Sequence, residues 1–480
     1  LAVIAPAASA AKVSPLEALR SSSTTGARRD IGRLRWAAGL LLLAGGALTA
    51  AYVVMNLPGR DPENYDPVPL LMAVVASGAL TFFALIALGP VLIRPVLAAL
   101  GWPVRRAGSL GRLAAGGVGG APRRAAAVSV VVALGVTLIA GALVGGESIR
   151  VLADRETAKS APADYELTAP EVGSPMPASL VEQLRQRREL TNVAPYRRLE
   201  VKVGDVELSA NDLGVRALPQ LTKLDVAQGA LTDLAPGRVV ISGFTADATG
   251  LKLGDEATIT AEKRTVRLKV AAVLPDSAPL GSAMVLDPAD LTALGAPAGF
   301  AGVLADAAGD GEQGRTDGRK AFTEVQATSG GQYALEVLAD QRDLIDANIT
   351  LLLVIALGLI GLTVLIAVVG VGTTTALSVV ERVRESGLLR AIGLGKGGLR
   401  AMLTTESALY GVIGAGIGLV LGVPYAWLAV KALGVNAPLT LPVWQLAGVF
   451  VVLVLMTALA GVLPARRAAK VSPVVALGTE

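Results

Sequence analysis

The side chains that this chain lacks exclude much chemistry from it. Its 480 residues include neither His nor Cys, which excludes disulfides, imidazole or thiolate metal sites, cysteine nucleophiles and a Ser-His-Asp triad. The sequence also lacks a phosphate-binding P-loop, because Gly395-Lys396 is followed by Gly397 and residue 390 is Arg. It therefore offers no catalytic, cofactor-binding or metal site.

The densest combination of charged, apolar and glycine residues lies between Ser378 and Glu406. An apolar stripe and polar faces occur together there, as on a short amphipathic helix at the inner membrane surface. Gly387 and Gly393 permit tight bends or the close approach of another protein's backbone. The pattern alone also fits a lipid-interface loop that ion pairs stabilise. The stripe consists of Leu388, Leu389, Ile392 and Leu399, and the polar faces of Arg384, Glu385 and Arg390.

Six long apolar runs must position this segment. Only 17% of the residues are charged and the mean hydropathy is +0.58, whereas soluble proteins carry about 25% charged residues. Each run is long enough to cross a bilayer, so we predict an α-helical polytopic membrane protein with six spans. The runs are Trp36–Met55, Val68–Ile93, Ala125–Val144, Ile349–Val371, Met402–Val430 and Leu441–Leu463.

Charge is segregated along the chain, and the segregation predicts its orientation. Residues 147–346 contain 30 of the 39 acidic and 21 of the 43 basic residues, so this block carries a net charge of −9 and the remainder +13. Lys and Arg cluster at residues 28–35, 94–124, 382–400 and 466–470, which the positive-inside rule assigns to the cytoplasm. Residues 147–346 are then outside the cell, and the pI of about 9.3 reflects topology and not nucleic-acid binding.

The outer segment is predicted to be a mixed α/β domain. Two short alternating strands, Leu199–Val203 and Val206–Ser209, flank Gly204-Asp205 and indicate a hairpin. We predict helices over Pro177–Leu190 and from Asp287-Pro288 onwards. Its acidic balance is most simply a solvated surface. Further predicted strands are Arg238–Ser242, Ala257–Ala261 and Thr265–Leu274.

Three motifs make this sequence similar to the FtsX-like/MacB-like family of ABC transporter permeases. The family pattern Glu-Arg-x-x-Glu-x-Gly-x-Leu-Arg-Ala-x-Gly is matched from Glu381 to Gly393, and a later Glu of the pattern by Glu406. The glycine-rich stretch Gly411–Gly422 and the segment Pro464–Pro473 complete the resemblance.

The resemblance extends to the outer segment and has a few departures. Residues Arg238–Asp255 resemble the core of the family's extracytoplasmic domain, which implies a domain of MacB-like periplasmic-core type. Ser386 stands where the family has Ile, and Ser407 where it has Ala. The final Val475–Gly478 lacks the closing Arg that the N-terminal segment has at Arg20. These departures are expected to affect how the segments pack more than the role that the resemblance implies for them.

The resemblance implies that residues from about 381 to about 400 form a coupling helix, and that this helix docks into a separate cytoplasmic ABC ATPase dimer. That partner would bind ATP and Mg²⁺, and this chain no cofactor. The predicted ATPase-coupling residues are Glu381, Arg382, Arg384, Glu385, Gly387, Leu388, Leu389, Arg390, Ala391 and Gly393.

A carboxylate and a glycine series mark the fifth span. Glu406 costs a few kcal/mol if it is unpaired at depth, so we expect either a buried contact to a basic residue such as Arg382 or Arg400, or a carboxylate that snorkels to the interface. The glycines are predicted to pack helices together and not to line a substrate path. They are Gly411, Gly414, Gly416, Gly418 and Gly422.

The two ends of the chain repeat each other. Residues 1–19 align with residues 459–477, and 12 of the 19 positions are identical, including a Lys-Val-Ser-Pro tetrapeptide. The second copy follows a membrane helix, so we expect the first copy to be the exit of another one. This predicts the C-terminal half of a duplicated permease, whose first half is either on the same chain or absent.

These segments predict a domain order. Residues 1–35 are the cytoplasmic end of a preceding repeat and a basic linker, 36–93 a two-helix transmembrane pair, 94–124 a basic cytoplasmic loop, 125–146 the first helix of the FtsX-like unit, 147–346 the extracytoplasmic domain, and 347–480 three transmembrane helices with the coupling helix and a cytoplasmic tail.

We predict a permease subunit, not an enzyme, in the bacterial cytoplasmic membrane. A long fourth helix, from about Arg342 to Arg384, would carry ATP-driven movement to the outer domain, as in type VII, mechanotransmission-like transporters. The predicted cargo is a lipid, lipoprotein or membrane-active peptide, and the predicted partners are the ATPase, membrane lipids and an extracytoplasmic protein or hydrophobic cargo, but no nucleic acid. The alternative is a signalling subunit that activates a cell-wall hydrolase or sensor. A membrane enzyme would need a catalytic cluster in residues 147–346 that the sequence does not show.

Overall fold

The computed structural model describes residues 33–58, 65–106, 108–169, 175–275, 277–328, 333–381, 383–434 and 438–470. The predicted repeat at residues 1–19, Arg20, Arg382 and the tail from residue 471 onwards lie outside the described residues. The chain divides into two compact units. The first comprises Leu1–Gly141, Ile360–Val435 and Val443–Glu480, and the second Ala142–Leu359 and Asn436–Pro442.

Six of the helices are long and apolar enough to cross a membrane, so the prediction of six spans is confirmed. They are α1, α2, α5, α10, α12 and α13 of the following series. In chain order the described helices are α1 Arg33–Met55, α2 Val68–Leu100, α3 Trp102–Arg106, α4 Ser109–Gly120, α5 Pro122–Ser160, α6 Ala178–Arg185, α7 Gly243–Thr249, α8 Pro288–Ala293, α9 Gly311–Thr328, α10 Leu338–Glu381, α11 Val383–Ala391, α12 Lys396–Ala432 and α13 Val443–Ala468.

Two of these helices extend well beyond their apolar runs. Helix α5 continues to Ser160, past the predicted boundary at residue 146, and α10 begins at Leu338, four residues before the expected start near Arg342. Arg, Lys and Glu are good helix formers, so hydropathy marks where a helix crosses the bilayer and not where it ends. With 44 residues at about 1.5 Å per residue, α10 is roughly 66 Å long.

The core of the first unit is apolar and is built from five of the spans, with Ile93 and Leu97 of α2 among its buried residues. It contains Val132 and Val136 of α5, Val364 and Val368 of α10, Leu409 and Ile413 of α12, and Leu453 of α13.

The helix pair α1–α2 is attached to α12 by hydroxyl groups. The Tyr425 hydroxyl of α12 lies 2.7 Å from Thr81 Oγ1 and 3.0 Å from Ser77 Oγ, both on α2. Ser77 in turn donates to the Gly46 carbonyl of α1 at 2.8 Å. Side-chain hydrogen bonds of this kind hold membrane helices together, so the pair is an integral part of this unit.

The second unit contains two β-sheets. The described strands are β1 Tyr165–Thr168, β2 Leu190–Tyr196, β3 Arg198–Val203, β4 Val206–Asn211, β5 Gln228–Gly229, β6 Arg238–Ile241, β7 Glu256–Ala261, β8 Arg264–Val273, β9 Met284–Leu286, β10 Gly302–Ala307 and β11 Ala334–Val337. One sheet is antiparallel with the order β11-β1-β10-β2. The other has the order β5-β8-β6-β9-β4-β3-β7, and an additional pairing of β7 with β8 closes it into a barrel. The mixed α/β domain predicted for this segment is confirmed.

The predicted local signals explain part of this domain. Gly204 has φ +62° in the turn between β3 and β4, a conformation that glycine adopts without strain, and Asp287 caps α8 by accepting a hydrogen bond from the Ala289 amide. The helix predicted over Pro177–Leu190 is too long, because α6 ends at Arg185 and Leu190 begins β2. The side chain of Leu190 packs into the core of the four-stranded sheet.

The first two turns of α10 are tied to the four-stranded sheet and to α9. Arg342 pairs with Asp164, beside the start of β1, while Asp340 and Asp343 pair with Arg319 and Arg315 of α9. Exposed ion pairs contribute little individually, but three pairs within four residues of one helix restrain both its rotation and its translation.

A half-buried carboxylate lies on a strand of the four-stranded sheet. Tyr196 of β2 donates a hydrogen bond of 2.5 Å to Glu166 of β1, and Glu336 lies directly opposite on β11, while Arg198 is a nearby cation. Burial raises the pKa of Glu166 and the charge of Glu336 adds to this effect, although the hydrogen bond from Tyr196 opposes it. Ionised Glu166 therefore destabilises the folded domain.

Replacing Glu166 by Gln is expected to stabilise this domain at neutral pH. Gln keeps a carbonyl acceptor for Tyr196 and removes the cost of a half-buried charge. Because the pKa of Glu166 is raised in the folded state, the wild-type domain loses stability as pH rises through that pKa, so the advantage of the variant is greatest above it and vanishes below about pH 4, the unfolded pKa. Hydrogen exchange of β1 and β10 amides in the full chain, compared with wild type at each pH, measures this.

The matched control is Glu200→Gln, which removes the same charge from an exposed position on β3 and should change exchange very little. Equal protection in wild type and Glu166→Gln at pH 8 would contradict the prediction.

Candidate functional site

The segment that matches the family pattern forms a short helix between two long ones. Helix α10 ends at Glu381, α11 covers Val383–Ala391, and α12 begins at Lys396. The single coupling helix expected over about residues 381–400 is therefore two helical segments separated by a turn. Of the ten predicted coupling residues, Glu381 closes α10, Gly393 lies in the turn, Arg382 is outside the described residues, and the others are on α11.

Gly393 makes the turn after α11 possible. It has φ +108°, and its amide donates to the Arg390 carbonyl at 3.2 Å while the Leu394 amide donates to the Leu389 carbonyl at 3.0 Å. This pair of bonds is a Schellman motif, whose left-handed position strongly favours glycine. The sequence predicted a bend at Gly393, and this hydrogen-bond pattern is its physical form.

The residue after the turn anchors α11 to the rest of its unit. Leu394 packs against a cluster formed by Val379 of α10, Leu399 and Leu403 of α12, and Ala465 and Ala468 of α13. Leu399 is fully buried in this cluster. The prediction that it belongs to the apolar stripe of the coupling segment is therefore wrong. Its position three residues into the next helix, beyond the turn, gives it a packing role.

Helix α11 and the turn after it present two apolar side chains to the surroundings, and the Ile392 amide donates to the Leu388 carbonyl at 3.0 Å. Leu388 is 55% exposed and Ile392 is 74% exposed, and residues four apart lie on one helix face. Glu385 is exposed one turn before Leu388, whereas Gly387 is buried on the opposite side. The segment therefore offers an apolar pair beside charged residues, held by a fixed turn.

Glu406 is buried, with 5% of its surface exposed. The Tyr410 hydroxyl donates to its Oε1 atom at 2.7 Å, and Arg124 Nη2 of α5 lies 3.7 Å from the same atom. The expected contact to a basic residue is present, but Arg124 supplies the cation; Arg400 is exposed and Arg382 lies outside the described residues. The alternative of a carboxylate that snorkels to the interface is wrong, because Glu406 is buried. Tyr410 was detectable one turn after Glu406, but Arg124 is 282 positions away and only the packing of α5 on α12 brings it close.

Three of the predicted packing glycines of α12 lie directly against α5. A Cβ atom at Gly414 would be 2.6 Å from the Ser129 carbonyl oxygen, and one at Gly418 would be 2.7 Å from the Ala133 carbonyl oxygen. At Gly422 it would be 2.9 Å from the Thr137 carbonyl oxygen. Such distances show that the two backbones touch, as in membrane helices that associate through small residues.

The other side of α12 packs against α13 in a similar way. A side chain at Gly411 would collide with Thr457 and approach Val454 Cα to 3.1 Å. Ser407, which replaces the Ala of the family pattern, lies against Gly461 of α13 and donates to the Leu403 carbonyl of its own helix at 3.2 Å. The hydroxyl is thus satisfied within α12, and the departure from the pattern is compatible with the packing.

Adding a methyl group at Gly414 or Gly418 is expected to destabilise the first unit. Gly414→Ala and Gly418→Ala each force a carbon against a backbone oxygen that has no rotamer to change, at a cost of about 1–3 kcal/mol. The melting temperature of the detergent-solubilised full chain measures the effect. Gly361→Ala in α10 is the control, since nothing lies within 4 Å of a Cβ there and alanine favours the helix. Equal melting temperatures for all three variants would contradict the packing described.

Residues 357–473 match the family model described as FtsX-like permease C-terminal. This range begins within α10 and includes α11, α12 and α13, that is, all of the segments just described. The resemblance stated from the motifs is confirmed.

Curated relatives are similar to the chain over shorter stretches. MJ1507 of Methanocaldococcus jannaschii, an uncharacterized ABC transporter permease, is 31% identical over 135 residues, which is 26% of this chain and 33% of the relative. The pyoverdine export ATP-binding/permease protein PvdT of Pseudomonas syringae is 35% identical over 121 residues, 25% of this chain and 18% of PvdT. The lipoprotein-releasing system transmembrane protein LolC of Haemophilus influenzae is 34% identical over 129 residues, 25% of this chain and 33% of LolC. The chain thus matches one third or less of the length of each of these relatives.

Among solved structures, the extracellular domain of the noncanonical ABC-type transporter YknZ from Gram-positive bacteria is 17% identical, and the similarity covers 36% of this chain and 98% of that one with a TM-score of 0.27. A TM-score this low supports no argument. The positive-inside rule places the α/β domain of this chain outside the cell. The helices and the family match carry the conclusion: this chain is a multi-pass membrane protein, it contains an FtsX-like permease C-terminal domain over residues 357–473, and it is related to the permeases of ABC transporters.

Proposed function

We propose that the chain is the permease subunit of an ATP-driven complex, in which a separate cytoplasmic ATPase docks on α11. The observation that carries this proposal is the exposed apolar pair Leu388 and Ile392, which lies within the FtsX-like match, on α11 and in the Schellman turn that follows it. Buried apolar anchors with charged residues around them are the usual energetic centre of a protein interface.

The position of α11 suits a coupling element. Only Arg382 separates it from the end of α10, and Leu394 connects it to the inner ends of α12 and α13. Movement imposed on α11 is therefore passed to three membrane helices together. A flexible loop would absorb such a displacement, whereas a hydrogen-bonded turn transmits it.

The start of α10 suits the output end of the same device. Its ion pairs with Asp164, Arg315 and Arg319 fix it to the four-stranded sheet and α9. With a single helix of 44 residues between Leu338 and Glu381, we infer that ATP-driven movement at α11 displaces the extracellular domain. This is work transmitted across the membrane, as in a mechanotransmission mechanism, and it needs no polar pathway through the spans.

The cargo is proposed to be hydrophobic or amphipathic, such as a lipid, a lipoprotein or a membrane-active peptide. Two relatives are named for the release of lipoproteins and the export of pyoverdine, which are different compounds moved by proteins with related permease domains. These two relatives have export powered by ATP in common but not a cargo, so the comparison supports ATP-driven export and does not favour one cargo. The signalling alternative stays open for the same reason.

Replacing the exposed apolar pair by acidic residues is expected to abolish ATPase docking. Leu388→Asp and Ile392→Asp each place a charge in the proposed interface centre, and loss of such an anchor typically weakens binding at least tenfold. Arg390→Ala and Glu385→Ala should weaken it in the same direction by removing flanking charges. The ATPase that copurifies with the tagged full chain from its native membrane, and its ATP hydrolysis, are the measurements.

Phe244→Asp provides the control, because it places the same charge at an equally exposed apolar residue of the extracellular domain. It should leave ATPase copurification unchanged. If all the α11 variants retain both copurification and coupled ATP hydrolysis, the docking proposal is wrong.

The purified complex is expected to carry its cargo when ATP hydrolysis is prevented. Mass spectrometry of the detergent-solubilised complex should then detect a lipid, lipoprotein or peptide, because movement of the extracellular domain has stopped before release. A captured extracellular protein without any such compound would instead favour the signalling subunit, while leaving ATPase docking intact.

A further inference from the structure

The sequence between Asp66 and Glu147 contains no acidic residue but six arginines. The arginines surround the inner end of α2 and the short helices α3 and α4 that follow it. One of the six, Arg124, lies against Glu406. The stretch as a whole still has a large excess of positive charge, which an anion must balance.

A cavity of about 390 Å³ lies within this stretch. Its walls come from Leu97 of α2, Arg105 of α3, and Arg112, Ala115, Gly116 and Gly119 of α4. Leu97 and Ala115 are buried and form an apolar floor, whereas Arg105 and Arg112 are exposed at the rim. The volume is in the range of small-ligand sites.

The two rim arginines have no counter-charge within the part of the chain that the structure describes. Among the residues that the structure describes, the side chains of Arg105 and Arg112 form no hydrogen bond and no ion pair. Guanidinium groups bind phosphate oxygens through two parallel hydrogen bonds. An opening with two such groups and no carboxylate is therefore suited to a phosphate-bearing anion.

The cavity also lies at the depth of a membrane interface. The apolar window of α2 ends at Ile93, and Leu97 is one helical turn, about 6 Å, beyond it. Leu100, Trp102 and Leu113 are exposed apolar side chains on the same three helices, and the Arg106 guanidinium lies 3.9 Å from the centre of the Trp102 ring. Tryptophan and arginine in this combination are typical of the headgroup region of a bilayer.

We propose that this cavity binds the headgroup of an anionic phospholipid of the inner leaflet. Arg105 and Arg112 would bind the phosphate, the floor would exclude water, and the exposed apolar residues nearby would contact the acyl chains. Basic pockets between membrane helices on the cytoplasmic side recognise anionic lipids through this chemistry. The proposal requires membrane insertion but not ATPase docking, so it stands or falls independently of the proposed function.

The test uses the delipidated full chain in detergent and native mass spectrometry with phosphatidylglycerol or phosphatidylcholine. Wild type should bind phosphatidylglycerol in preference, and Arg105→Gln/Arg112→Gln should lower that affinity about tenfold or more. Gly116→Leu should lower it as well, since a Cβ at Gly116 has nothing within 4 Å and the new side chain can fill the cavity without displacing protein atoms.

Two control variants separate the site from general effects. Arg400→Gln removes the same charge from an exposed residue of α12 that does not line the cavity, and Gly120→Leu adds the same side chain at a glycine of α4 that is equally open. Both should bind phosphatidylglycerol as wild type does. Melting temperatures without lipid show whether each variant is folded.

Four outcomes would overturn the proposal. The first two are equal binding of phosphatidylcholine and phosphatidylglycerol by wild type, and equal affinity of wild type and folded Arg105→Gln/Arg112→Gln for phosphatidylglycerol. The third is competition by millimolar inorganic phosphate that is as effective as competition by lipid, which would indicate a free-phosphate site. The fourth is that Arg105→Gln/Arg112→Gln retains lipid binding but loses ATPase copurification, which would assign the arginines to a protein partner.

Discussion

Close backbone contact along α12 is the constraint on which the first unit depends. Lipid tails are as apolar as leucine, so membrane helices gain little from hydrophobic burial and associate through packing. Gly414, Gly418 and Gly422 allow the carbonyl oxygens of α5 to approach, and Gly411 does the same for α13. This contact sets the position of α12, and thereby of everything attached to it.

The buried charge pair is a consequence of that contact. Because α5 and α12 lie so close, Arg124 at the start of one helix reaches Glu406 near the start of the other. A buried pair contributes little net stability, but a partner that is displaced leaves an uncompensated charge, which costs far more. The pair therefore opposes sliding of α12 along α5, next to the segment that we propose receives force from an ATPase.

The sequence predicts those structural features that are determined by residues close together in the chain. Hydropathy located all six spans, and the glycine turn at residues 204–205 and the cap at Asp287 were predicted because each acts over a few residues. The four-stranded sheet was missed, since its strands at residues 165–168, 190–196, 302–307 and 334–337 are short and pair with partners far along the chain. Leu399 and Arg124 were misjudged or missed for the same reason, because their partners lie on other helices.

The exposed apolar pair Leu388 and Ile392 connects the packing of the membrane helices with the proposed function. Exposed apolar side chains on a rigid element usually mark an interaction surface, and the Schellman turn at Gly393 keeps Leu388 and Ile392 in a fixed orientation. A rigid surface loses little conformational entropy when a partner binds. We propose that it moves together with α10, whose first turns are tied to the four-stranded sheet by Asp340, Arg342 and Asp343. On that proposal, the rigidity that favours docking also allows a docked partner to move the extracellular domain.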